Sequence, residues 1–145
     1  MKKLLLVLLL CYSASIAQTS VNQVIVLNEG YYNWSTGQQD VPVFIGAYNP
    51  SLQTYSTFET INGAQFASDV LVSDNYIYAA CSNGLRMYDK TTKQLLHTNT
   101  ATGIRKMAIW NNEVLVTRGD IGLSNNYYQS YSATDLSFNY ELDNL

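Results

Sequence analysis

A strand, a short polar turn and a second strand recur along this chain about every forty residues. That spacing limits what the chain can fold into more than any other feature. Val70-Leu71-Val72-Ser73-Asp74-Asn75-Tyr76-Ile77-Tyr78 aligns with Ala108-Ile109-Trp110-Asn111-Asn112-Glu113-Val114-Leu115-Val116 at an offset of 38. Further on, Tyr48-Asn49, Tyr88-Asp89 and Tyr131-Ser132 recur at offsets of 40 and 43. Between these marks the apolar residues come in short runs of Val, Ile, Leu and Tyr, broken by Asn, Asp, Gly, Ser and Thr, which is strand-and-turn composition. A unit of about forty residues holding four strands is the pattern of a β-propeller blade.

Labelling the strands of each unit A to D, the middle repeat predicts A over Phe66–Ser73, B over Tyr76–Cys81, C over Leu85–Asp89 and D over Gln94–Thr98. The third repeat predicts Ile104–Trp110, Glu113–Arg118, Tyr128–Ser132 and Ser137–Leu142. The first repeat begins differently, because Val24–Asn28 matches a B strand, followed by C over Val43–Asn49 and D over Thr54–Thr60. The expected fold is therefore all-β, a partial propeller of about three four-stranded antiparallel blades, the first without its inner strand. The blades span residues 22–60, 66–100 and 104–143 of one domain, 18–145. Since rings need at least about four blades, the chain reads as the N-terminal part of a longer protein, with the remaining blades supplied by sequence beyond Leu145. Closure by oligomerisation is the competing expectation.

The N-terminus carries an export signal. Lys2-Lys3 precede the apolar run Leu4–Leu10, and Ser15-Ile16-Ala17 places a cleavage site after Ala17. The run is shorter than the roughly 20 apolar residues that span a bilayer, so no membrane insertion of the mature chain is expected. A lipoprotein leader acylated at Cys11 is the rival reading, although Leu10 stands where such leaders carry a small residue. Removing residues 1–17 moves the formal net charge from −3 to −5. A mildly acidic, charge-poor chain is unsuited to nucleic acid, whose affinity comes from clustered Lys and Arg. Cys81 would then be the sole cysteine, with no disulfide partner in the chain, and reads as a small buried hydrophobe on a strand.

The segment Tyr76–Thr100 resembles the YVTN-type repeat of secreted and surface β-propellers, with Tyr78, Asn83, Tyr88-Asp89 and Thr92 at its characteristic positions. The opening Val24–Gly30, ending Asn28-Glu29-Gly30, is similar to the start of Bacteroidetes-type exported propellers built on that repeat. Such positions serve the fold: Asp89 and Thr92 can bond turn backbone, and Tyr78 can pack between sheets. The resemblance implies a secreted or cell-surface, non-enzymatic binding protein. Its partners would be a small molecule, a glycan or a surface protein, without a cofactor.

In a propeller the B–C and D–A loops share one face, where binding generally occurs. The first B–C loop, Asn28–Val41, carries Glu29, Tyr31, Tyr32 and Trp34, and the third, Arg118–Tyr127, carries Arg118, Asp120 and Tyr127. Aromatic rings and charges on two loops of one face can stack a planar or sugar-like ligand and fix its orientation. The alternative is that the rings pack over blade ends. No catalytic constellation stands out: His97 is the only histidine, which argues against a histidine-based metal site or a Ser-His-Asp triad within this segment. Two other function classes remain, a lactonase- or quinoprotein-like propeller enzyme with its catalytic residues in further blades, and a structural spacer in a surface assembly.

Overall fold

The computed structural model describes residues 21–119 and 127–142. The expected leader with Cys11, and the candidate Asp120, lie outside the described residues. Thirteen strands run β1 (Val24–Asn28), β2 (Tyr31–Asn33), β3 (Gln38–Val41), β4 (Val43–Asn49), β5 (Thr54–Ile61), β6 (Ala67–Val72), β7 (Tyr76–Cys81), β8 (Gly84–Asp89), β9 (Leu95–Asn99), β10 (Ile104–Trp110), β11 (Glu113–Arg118), β12 (Tyr128–Ser132) and β13 (Phe138–Leu142). They form a three-stranded first sheet β1-β4-β5, a four-stranded middle sheet β6-β7-β8-β9, a four-stranded third sheet β10-β11-β12-β13 and the hairpin β2-β3. All pairings are antiparallel. Among the described residues there is no helix, hence none long and apolar enough to cross a membrane.

Turn chemistry sets where the strands end. Asp89 Oδ1 accepts the Thr91 and Thr92 N–H groups at 2.9 and 2.6 Å, closing the connection from β8 to β9 as expected for that aspartate. Asn111 and Asn112 take φ of 46° and 63° between β10 and β11, the left-handed pair that two-residue hairpin turns require. Gly84 opens β8 at φ 135°, and a Cβ there would lie 2.1 Å from the Asn99 carbonyl oxygen, so only glycine fits.

The sheets stack through two cores. Val43, Ile45, Ile61, Ile77, Ala79, Cys81 and Tyr88 fill the space between the first and middle sheets. Tyr78, Leu85, Met87, Met107, Val114, Val116 and Tyr131 fill the space between the middle and third. The middle sheet is thus covered on both faces, and β7 is buried from Ile77 to Cys81 without alternation. Polar links cross the second interface: Tyr78 Oη donates to the Ala133 carbonyl at 2.6 Å, and Ser68 Oγ to the Ile104 carbonyl at 2.7 Å. Asp69 Oδ2 accepts the Met107 N–H at 2.8 Å, and its other oxygen lies 3.6 Å from Lys106 Nζ.

Register corrects one expectation. Val72 lies opposite Ile77 and Ile77 opposite Tyr88, whereas Ile109 lies opposite Val114 and Val114 opposite Tyr131. Val72 therefore corresponds to Ile109 and Val70 to Met107, an offset of 37 rather than 38. The β-bulges agree, falling at Ser68 in β6 and Arg105 in β10. Trp110 stands at the place of Ser73, at the turn, and is 66% exposed. A slip of one residue exchanges the two faces of a strand, and apolar runs buried on both sides give no alternation that would reveal it.

Candidate functional site

The C-terminal ends of β1, β7 and β11 and the N-terminal ends of β6 and β10 lie at one end of the three sheets, and the candidate residues gather there. Asn28 Oδ1 accepts the Gly30 N–H at 2.8 Å, and the Glu29 carbonyl accepts the Ala67 N–H at 3.1 Å, which ties the end of β1 to the start of β6. Gly30 has φ 75°, and a Cβ on it would meet Gln39 Nε2 and Val43 Cγ2, each at 2.9 Å. Asn28 and Gly30 are therefore geometric requirements of this turn, which leaves the Glu29 side chain exposed.

The segment expected as an irregular loop is the β2-β3 hairpin, with Tyr31 opposite Val41, Tyr32 opposite Gln39 and Asn33 opposite Gln38. Asn33 organises its tip. Its carbonyl accepts the Gly37 N–H at 2.8 Å and its Oδ1 the Ser35 N–H at 3.1 Å, while its Nδ2 donates to Asp40 Oδ2 at 3.2 Å. Gln39 Nε2 reaches the Gln65 carbonyl at 3.4 Å, bracing the hairpin against the segment before β6. Trp34 rides on this tip, 73% exposed, edge-to-face against Tyr32 with centroids 4.8 Å apart. Tyr31 is 58% exposed. Tyr31 and Trp34 are thus largely in solvent, while Tyr32 is half-buried beneath the Trp34 ring.

Beside Glu29 a cleft of about 220 Å³ is lined by Leu27, Ala67, Ser68, Asp69 and Val70. The Asp69 carboxylate in it is already engaged by β10, so it serves the joint between sheets. At the third sheet, Arg118 is half-buried and donates from Nε to the Thr102 carbonyl at 2.7 Å, and its N–H bonds the Tyr127 carbonyl at 2.8 Å. The Tyr127 side chain is 46% exposed. The structure thus brings together Glu29, Tyr31, Tyr32 and Trp34 around the first sheet, and Arg118 with Tyr127 at the third. The middle sheet, with its two-residue Ser82-Asn83 turn, stands between the two groups.

Two residues at this end carry no signal in the sequence. Arg105 occupies the β10 bulge, donates from Nε to the Gly119 carbonyl, and holds its guanidinium carbon 5.9 Å from the Phe66 ring centroid. A bulge re-aims the side chain it carries, and neither composition nor spacing announces one. His97 is exposed on β9, far along the sheet order from this end's inner strands.

The buried polar groups elsewhere serve the fold. Cys81 is a free, buried thiol that burial pushes up to about 11, with the nearby Arg86 guanidinium pulling it down less strongly. Tyr88 beside it is fully buried, its hydroxyl without a hydrogen-bond partner, and burial followed by the neighbouring Glu59 carboxylate resists its ionisation. Glu59 pairs with Arg86 at 3.8 Å. Among the described residues no three His, Cys, Asp or Glu side chains are placed to hold a metal ion. The chain matches no protein-family model, and none of the curated proteins compared with it gives a significant match.

Proposed function

We propose that this chain is part of an exported β-propeller of the YVTN-repeat kind, and that it works as a binding module rather than an enzyme. Its loop end would take a small molecule, a glycan or a partner protein. The stacked antiparallel sheets, entered in the first sheet at a strand equivalent to β7, support the propeller reading. The observation that carries the binding role is Trp34, kept 73% exposed on a hairpin whose tip is fixed by Asn33 and Asp40. An indole held in water by a rigid support is ready to stack without first losing conformational freedom.

The test is a thermal-shift screen of the purified protein against metabolite and glycan libraries, followed by affinity measurement on Trp34→Ala and Tyr32→Ala. Both variants should keep the wild-type melting temperature within a few degrees and lose affinity by about tenfold or more, the scale of a stacked aromatic contact. Unchanged affinity in both would place the site elsewhere on the molecule.

A further inference from the structure

Two arginines clasp each other's backbone at the loop end of the third sheet. Arg105 follows Gly103 and reaches to the Gly119 carbonyl, while Arg118 precedes Gly119 and reaches back to the Thr102 carbonyl at 2.7 Å. Between these crossing contacts the Gly119 N–H bonds the Gly103 carbonyl at 2.8 Å. In both cases the donor is Nε. A guanidinium offers five N–H donors, and among the described residues the clasp engages only the one that fixes its orientation, not the terminal nitrogens. Those terminal groups form the fork that matches a carboxylate or phosphate in two parallel hydrogen bonds.

The charge balance around them is unusual for this chain. Among the described residues the ion pairs are Arg86 with Glu59 and Lys106 with Asp69, so neither Arg105 nor Arg118 takes a carboxylate from these residues. Like charges held at one end of a sheet repel, and in a protein of net charge −3 such a pair is not a by-product of a generally basic surface. A bound anion would offset both charges. Phe66 adds a half-buried flat apolar ring beside them, its centroid 5.9 Å from the Arg105 guanidinium carbon.

We propose that this end of the third sheet recognises an oxyanion, a carboxylate or a phosphate, on a small ligand with a planar part, through Arg105 and Arg118 with Phe66 as the stacking surface. The proposal rests on the loop end being the binding end, and it names the chemical class bound there. Three fluorinated probes test it by fluorine NMR line broadening with the purified protein: 4-fluorobenzoate, 4-fluorophenyl phosphate and the neutral 4-fluorobenzyl alcohol.

The expected result is broadening of one or both anions and not of the alcohol, with the tighter anion assigning carboxylate or phosphate. Arg105→Gln and Arg118→Gln should each weaken that anion about tenfold or more, and Arg105→Lys, which keeps charge but not the fork, should fall between. Phe66→Ala should weaken 4-fluorobenzoate while leaving inorganic phosphate competition unchanged. Melting curves of each variant separate lost binding from lost folding. Equal broadening by the alcohol, or anion affinity unchanged in both glutamine variants, overturns the proposal. Loss of affinity confined to Trp34→Ala overturns it too, while retaining the loop end as the binding end.

Discussion

Two tyrosines of the middle sheet are buried to the same extent and should respond oppositely to losing a hydroxyl group. Tyr78 is 1% exposed and its Oη donates to the Ala133 carbonyl at 2.6 Å across the joint with the third sheet. Tyr88 is fully buried on the opposite face, and its Oη has no hydrogen-bond partner. Tyr78→Phe removes a good hydrogen bond and strands a carbonyl in a buried position, which costs about 1–3 kcal/mol. Tyr88→Phe removes a hydroxyl whose desolvation nothing repays, so the change runs from none to about 1 kcal/mol of stabilisation, the Glu59 carboxylate nearby limiting the gain. The two variants should therefore differ by about 2 kcal/mol, a separation that urea unfolding resolves provided the slope with denaturant is common to both. Tyr88→Phe losing as much stability as Tyr78→Phe would refute the reasoning, because the Tyr88 hydroxyl would then be bonded to the neighbouring Glu59 carboxylate rather than unpartnered.

Three further outcomes are expected. Gly84→Ala forces a side chain onto a φ of 135° and into the Asn99 carbonyl, and should lower stability by about 3 kcal/mol or more, whereas Gly119→Ala, which among the described residues meets the flexible Arg105 side chain at 3.6 Å (Cγ) and 3.8 Å (Nε), should stay within about 1 kcal/mol of wild type in the same assay. Cys81, with its thiol pushed up to about 11, should resist labelling by iodoacetamide at pH 8 in the folded protein and react at once in denaturant; rapid labelling of the native state would contradict its burial. Asp135 is lowered to about 2 by bonds from the Ser137 N–H and hydroxyl, and Asp89 is lowered by the Thr92 N–H and hydroxyl. A folded-state value below the unfolded one stabilises above the unfolded value and is lost as pH falls through the folded one, so the loss belongs between pH 4 and 2. The double variant Asp89→Asn with Asp135→Asn should show a flatter stability profile across that window, and an unchanged slope would exclude these turns as its source.

The sequence made the strand positions legible to within a residue at most ends, because turn residues act locally. Asp89 fixes its connection through its carboxylate, Asn111-Asn112 and Gly84 fix theirs through left-handed backbone, and short apolar runs rich in β-branched residues between such turns read as strands. What it concealed was anything depending on which face a residue takes. Trp110 sits in an apolar run and ends at an exposed turn, since the offset of 37 is indistinguishable from 38 when both faces of a sheet are covered. The hairpin within Asn28–Val41 was hidden for a related reason: Gln38, Gln39 and Asp40 are poor strand formers, and their pairing follows from the Asn33 tip and the Gln39 brace instead. At the site, exposed aromatics could be read from composition, but Arg105 and Phe66 could not. Their meeting depends on one extra residue in β10 and on the contact between consecutive sheets.

Among the described residues, polar contacts from Ser68, Asp69, Tyr78 and Asn99 of the middle sheet reach the third and join sheets that share no strand ladder. Each layer leans only on its immediate neighbours, so cooperativity is passed along joint by joint, as in a short stack of coupled units. Amide protons of β7 and β8, guarded from both sides, would exchange most slowly, and those of β1 and β13 soonest. Of these three sheets, the middle one would be the last to yield to mechanical or chemical stress.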